Sequence, residues 1–363
     1  MVVAVPSATA KPHMLVGLLD QGDTFYNAEQ AFPTVKKLRV QVVRADLYWG
    51  GGGAISVATR KPTNARNPND KAYNWAPYDH LVQVAAKYNV KILFTIWGTP
   101  GWANGGKPAR WAPTNFADLQ NFAYAAAKHF SGAQLDANDV KIPAVRLWTA
   151  WNEPNQPFEL YPQYKRIHGK YVMVSAINYA KICAAIYAGV HSTHLAGEKV
   201  ACGVTAPGGN DNPRGARGTP SPQEFMIALK KAGLKKFDAY AHNPYNGPRE
   251  LPATKPGGHG HYTLGNLNLM IQQVTKLWGP RRIWLTEYAY QTNPPDRAFG
   301  VSYAKQAAYL KQAFAIARKN PRVDMMLWFQ LEDEPGIGGW QSGLMTTRGK
   351  HKPAFVTFER LPH

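Results

Sequence analysis

The feature that most restricts the fold of this chain is an alternation running along its length: a short apolar run, then a segment of helical periodicity, eight times over. The apolar runs fall at 13–19, 40–46, 90–97, 144–151, 198–205, 237–242, 282–287 and 323–329. Most are apolar on both faces, as strands are when helices cover one side and a packed interior fills the other. Helical patterns follow near 27–38, 77–88, 115–130, 164–190, 221–232, 265–277, 301–317 and 353–360. Leu119, Phe122, Ala126 and Phe130 make one apolar stripe at steps of three and four; Tyr303, Ala307, Leu310, Phe314 and Ala317 make another. Such stripes pack on a sheet.

Eight strand–helix pairs predict an α/β protein of one domain, a single (β/α)8 barrel over 13–363 preceded by a tail at 1–12. The length of 363 residues suits a barrel of roughly 250 to over 400 residues. An open doubly wound sheet should carry a glycine fingerprint after its first strand; here the strand leads into LLDQGDTF. The Gly50–Gly53 run lacks the GK[ST] of a phosphate cradle and reads as a flexible loop. Long connections at 47–76, 98–114, 152–163, 206–220, 243–262 and 288–300 all leave the C-terminal ends of strands. Barrels of this kind build their active sites on that face.

Lys plus Arg number 42 against 23 Asp plus Glu, a formal charge of +19. The plain reading is a soluble, charged exterior; the sharper one is an anionic substrate or a polyanionic surface outside the cell. Without a compact basic run or a zinc or recognition-helix signature, nucleic acid is not expected as a partner. No segment approaches the roughly 18 apolar residues of a membrane helix. MVVAVPSATAKP lacks the parts of an intact signal peptide and reads as the start of a mature exported protein, so an extracellular location is expected. Cys183 and Cys202 lie in a predicted helix and the following strand; a bond is conceivable, but two small buried thiols are the expectation. His191/His194 and His259/His261 lack a third ligand at metal spacing, so neither metal nor cofactor is expected. The oligomeric state stays open.

With so few acidic residues, those at strand ends can be weighed singly. Glu153 closes the fourth run in RLWTAWNEPN, with Pro154 stopping the strand and leaving the carboxyl at the barrel mouth. Trp151 gives it a partly apolar setting, which raises a carboxyl pKa and suits a proton donor. Glu287 closes the seventh run in RIWLTEYAY, where an apolar strand rarely tolerates a carboxylate without a partner or a task. The bland alternatives are a loop cap for Glu153 and a salt bridge to Arg44 for Glu287. Two facing carboxyls are what glycosidic bond cleavage needs, one to protonate the leaving oxygen and one to attack or to activate water.

The pairing of WNEPN on the fourth strand with LTEY on the seventh resembles glycoside hydrolase clan A, the 4/7 superfamily, and is most similar to its cellulase-like and family 39-like members. The resemblance spans about 13–360. It implies a retaining enzyme acting on a carbohydrate, with Glu153 as acid/base and Glu287 as nucleophile. It also implies an arginine near the nucleophile at Arg44 and a contact from Asn152 to the 2-hydroxyl of the sugar. His242 and Tyr245 resemble the pair flanking the nucleophile, although two residues separate them where the family often has one. Trp328 resembles the platform under the reacting sugar, with a core tryptophan as its alternative. Trp49, Trp97, Trp102 and Trp340 are candidates for stacking on further sugar units or for packing. Glu332, Asp333 and Glu334 read as a solvated loop, or else as partners of sugar hydroxyls. A transglycosylase using the same site, and a carbohydrate-binding barrel without activity, are the rival readings.

Overall fold

A computed structural model describes residues 14–215, 217–247, 251–336 and 338–362. The expected tail at 1–12, and His13 at the start of the first run, lie outside the described residues. The strands are β1 (Leu15–Leu19), β2 (Val42–Tyr48), β3 (Lys91–Trp97), β4 (Leu147–Ala150), β5 (Lys199–Thr205), β6 (Ala239–His242), β7 (Arg282–Tyr288) and β8 (Val323–Phe329). Every neighbouring pair is parallel, and β8 pairs back to β1 with Leu15 opposite Met325, so the sheet closes. The helices after them are α1 (Ala28–Lys37), α2 (Ala76–Lys87), α3 (Phe116–His129), α4 (Val174–His191), α5 (Pro222–Lys231), α6 (Leu267–Trp278), α7 (Tyr303–Lys319) and α8 (Pro353–Glu359). The fold is a single (β/α)8 barrel.

Local chemistry starts these helices where they start. Asn115, Ser221 and Ser302 accept backbone N–H bonds at the N-caps of α3, α5 and α7. Proline occupies the first turn of α2, α5 and α8, where its missing N–H costs nothing.

Two apolar layers result from the period of two along each strand. Val42, Leu93, Ala201, Ala239, Trp284, Met325 and Leu327 fill the barrel interior. The residues between them, among them Val43, Phe94, Trp148, Tyr240 and Met326, pack outward under the helices. Gly17 is held to its identity by this closure: a Cβ there would stand 2.5 Å from the Val42 carbonyl oxygen.

Three expectations need correction. The helix expected at 164–190 begins only at Val174; before it, Lys165–Ile167 and Lys170–Val172 pair as an antiparallel hairpin. His168 and Gly169 at its tip both have positive φ (46° and 78°), the two-residue turn whose twist matches a hairpin. Cys183 and Cys202 are not free thiols but a disulfide that ties α4 to β5, with Cα atoms 6.0 Å apart. The connection at 330–352, between β8 and α8, also belongs with the long ones at the C-terminal face, and it walls much of the cavity there.

Candidate active site

Parity on β2 begins the site. Val42 points inward, so Arg44, Asp46 and Tyr48 do too. The Arg44 guanidinium is 1% exposed and spends its donors in several directions. Nε donates to Thr95 Oγ1 (2.8 Å), and one terminal nitrogen donates to Asn152 Oδ1 (2.9 Å). The other lies 3.4 Å from Glu287 Oε2 and 3.3 Å from the Thr286 carbonyl. A fixed cation thus stands in the barrel mouth between the ends of β4 and β7.

The alternation of β4 is broken on leaving the strand. Trp151 takes φ 65° and Glu153 φ 33°, and the Glu153 N–H donates to the carbonyl of Val204, itself at φ 45° in an irregular stretch of β5. Non-glycine residues in this region carry strain that the surroundings must hold, and such strain gathers at functional sites. The result turns Asn152 and Glu153 toward the cavity.

Glu153 and Glu287 meet there. The Asn243 side-chain nitrogen lies 3.1 Å from Glu153 Oε1 and 3.4 Å from Glu287 Oε2, and its carbonyl oxygen accepts from Thr286 (2.8 Å), which fixes the amide's direction. Tyr245 donates its hydroxyl to Glu287 Oε1 at 2.8 Å. Burial raises Glu153 to about 8, with the Glu287 charge adding to the rise and the Asn243 bond opposing it. Burial raises Glu287 as well, and Arg44 and the Tyr245 hydroxyl offset part of that rise. Only Glu287 of the two has a cation beside it, and its charge is among the causes that raise Glu153, so the proton is favoured on Glu153 and the charge on Glu287.

Around this pair lies a cavity of about 1020 Å³. Arg44, Asn152, Glu153, Tyr245 and Glu287 line it. Five further sequence candidates, His242, Trp328, Trp49, Trp97 and Trp102, do not. His242 shares the outward parity of Tyr240; it is fully buried, with its ring nitrogens bonded to Thr205 Oγ1 and the Tyr262 carbonyl (both 2.8 Å), and burial lowers it to about 4. Trp328 shares the outward parity of Met326; it is 0% exposed, donates to the Ser342 carbonyl and is a core residue. The next residue, Phe329, faces the cavity instead. Trp49 is buried, packed edge-on to Trp102 and stacked on Phe122, while Trp102 donates to the Ala58 carbonyl. Trp97 is half-buried behind Glu159, to which it donates at 2.8 Å. Of the mouth tryptophans only Trp340 lines the cavity, 47% exposed and edge-on to Phe329.

Several residues of the site were not singled out from sequence. Asn243 has a local signal, since it follows His242 at the end of β6 and so takes the inward parity. Asp46 has the same signal, two residues after Arg44. Glu159 has none: a loop brings it back beside Asn152. The acidic stretch at Glu332, Asp333 and Glu334 is solvated only in part, with Glu334 exposed and Glu332 half-buried. All three line the cavity, and Asp333 is buried in an ion pair with Lys352 (2.6 Å). Among the described residues no group of three or more His, Cys, Asp or Glu is placed to hold a metal, and no helix is long and apolar enough to cross a membrane.

This arrangement defines a class: a (β/α)8 barrel with paired glutamates at the C-terminal ends of its fourth and seventh strands. Residues 259–358, which include Glu287, match the family model described as glycosyl hydrolase catalytic core. No curated protein matches the chain. Solved structures similar to it include a family 39 glycoside hydrolase from Bacteroides cellulosilyticus WH2, with 16% identity over 98% of this chain and 66% of that one, and TM-score 0.66. A glucosidase from Croceicoccus marinus shows 15% identity over 96% and 67%, TM-score 0.68. A family 39 enzyme from Xanthomonas axonopodis pv. citri shows 17% identity over 97% and 67%, TM-score 0.62. The chain spans about two thirds of the length of these proteins, and at such identities the likeness is one of fold. The matched family and the site together support glycosidase activity.

Proposed function

We propose that this protein is a retaining glycoside hydrolase working by double displacement. Glu287, paired with Arg44, attacks the anomeric carbon while Glu153, held protonated, gives its proton to the departing oxygen. Tyr245 is placed to stabilise the Glu287 carboxylate when the glycosyl–enzyme bond breaks. In the second step Glu153, now ionised, takes a proton from the incoming water.

One observation carries this reading: a single amide nitrogen, that of Asn243, reaches both carboxylates. Its two contacts laid end to end only just span the ~6.5 Å at which inverting separations begin, and any bend at the nitrogen brings those oxygens closer. That favours direct attack over a water held between the carboxyls.

The substrate that best suits the cavity is an uncharged oligosaccharide or glycoside. Its volume stands at the upper end of the roughly 300–1,000 Å³ of ordinary small-molecule pockets, which gives room beyond one sugar. Phe158, Phe299, Phe329 and Trp340 offer flat apolar faces, and Gln21, Gln156, Gln291 and Gln330 offer amides for hydroxyls. Nine of its lining residues are Asp or Glu and one is Arg, which argues against the acidic glycan that the basic composition left open. The Cys183–Cys202 disulfide supports an oxidising, exported location.

The test is chemical rescue on an aryl glycoside chosen by screening a panel. Glu287→Ala is expected to lose turnover by roughly 10⁴-fold or more with the fold intact, and azide should restore it as a glycosyl azide of inverted configuration. Glu153→Ala should stay active only towards good leaving groups and, with azide, give the azide of retained configuration. Full activity in Glu287→Ala, or net inversion by the wild type, would overturn the reading.

A further inference from the structure

A carboxylate outside the reacting pair is built into the site with unusual care. Glu159 lies on the loop after β4, lines the cavity and is held from three sides. The Trp97 indole donates to its Oε2 (2.8 Å), Asn152 Nδ2 donates to its Oε1 (3.3 Å), and the Trp151 indole donates to its main-chain carbonyl (2.8 Å). The two tryptophan rings lie 5.6 Å apart, so they form one support. Two turns, closed by Gln156 N–H to the Glu153 carbonyl and Glu159 N–H to the Gln156 carbonyl, return the chain to this point.

We propose that Glu159 is a positioning residue which, through Asn152, fixes the direction in which that amide meets the substrate. Asn152 stands between Arg44, which can only donate, and Glu159, which burial raises to about 7 against the Asn152 and Trp97 bonds and which, ionised above that pH, can only accept. One orientation of the amide satisfies both neighbours: Oδ1 towards Arg44 and Nδ2 towards Glu159. The second Nδ2 hydrogen is then left for a ligand in the cavity. Trp97 closes the sequence as a further pure donor, so the chain Arg44–Asn152–Glu159–Trp97 has a single consistent direction.

Glutamine has the same shape but only one acceptor. In Glu159→Gln it meets two donors, Trp97 and Asn152. Either one donor stays unpaired, or Asn152 turns over and points its N–H groups at Arg44. The lock fails without a change in volume.

The proposal rests on the hydrolase reading, and the test separates the two. Wild type and Glu287→Ala judge that reading alone. For the lock, kcat/KM is measured for wild type, Asn152→Ala, Glu159→Gln and the double variant on the same aryl glycoside. Glu159→Gln is expected to lose roughly 10- to 100-fold, and the double variant to be no worse than Asn152→Ala. Additive losses, or a Glu159→Gln rate within twofold of wild type, would overturn the proposal. A second readout needs no turnover. In protein labelled with 15N-asparagine, the Asn152 side-chain pair, assigned through Asn152→Ala, should show one shifted, exchange-protected hydrogen in the wild type that is lost in Glu159→Gln. An unchanged pair would also overturn the proposal.

Discussion

Two carboxyls share one amide donor, Asn243, and only one of them touches a cation. That asymmetry assigns their roles, and it also has a stability consequence. An unfolded glutamate titrates near its ordinary value of 4.5, whereas folded Glu153 holds its proton to about 8. Between those values the folded state binds a proton that the unfolded state has released, so stability falls as pH rises through this window. Glu153→Gln removes the penalty. Its gain over wild type should be near zero at pH 4, grow through neutrality and level off above pH 8 at on the order of 5 kcal/mol, the rise from 4.5 to about 8 at ~1.4 kcal/mol per pH unit. Thermal melts across this range check it, and a gain independent of pH would refute the cause. At this scale Arg44, Asn152, Glu153, Tyr245 and Glu287 were legible because each sits in, or at a strand parity shared with, a recognisable motif. Glu159 was not, because nothing local says where a loop returns.

Strand parity decides more than composition does at the scale of elements. His242 and Trp328 lie at or next to the ends of their strands in motif-like segments, yet each falls on the outward side and is buried under helices, while beside them Asn243 bonds both glutamates and Phe329 faces the cavity. A shift of one residue exchanges a ligand contact for a core contact. Likewise the pattern at 164–190 looks helical throughout, but the His168–Gly169 turn takes its first part into a hairpin. The disulfide is a third case. Cys183 and Cys202 were readable as a helix residue and a strand residue, but a bond depends on how α4 lies across β5. The bond closes a short loop, with 19 residues of sequence separation. Replacing both cysteines by serine should lower unfolding stability by about 3 kcal/mol, measured by denaturant titration of the oxidised wild type against the variant. Equal midpoints would show that the cross-link contributes nothing.

Charge is segregated across the whole molecule. Lys and Arg outnumber Asp and Glu by 42 to 23 in the chain, but in the cavity lining the acids lead by nine to one. The exterior attracts polyanions; the mouth repels them at short range, where screening is weak. An aryl glycoside with a neutral sugar should therefore keep kcat/KM within about twofold from low salt to 0.5 M. The matching aryl glycuronide should be cleaved far more slowly, with the gap narrowing as salt rises. Comparable rates for the two sugars at low salt would contradict this picture.

The amino-acid sequence by itself determined the eight strand–helix units, their closure into one barrel and the two glutamates at the ends of strands four and seven. These follow from periodicity and from motifs whose parts are neighbours in the chain. Only the tertiary structure decided which residues beside those motifs face the cavity, that the two cysteines bond and that a basic chain encloses an acidic site. The reason is physical: parity at a strand's end, the angle of a helix across a sheet and the return of a loop are set by packing between distant segments, and no local pattern encodes them.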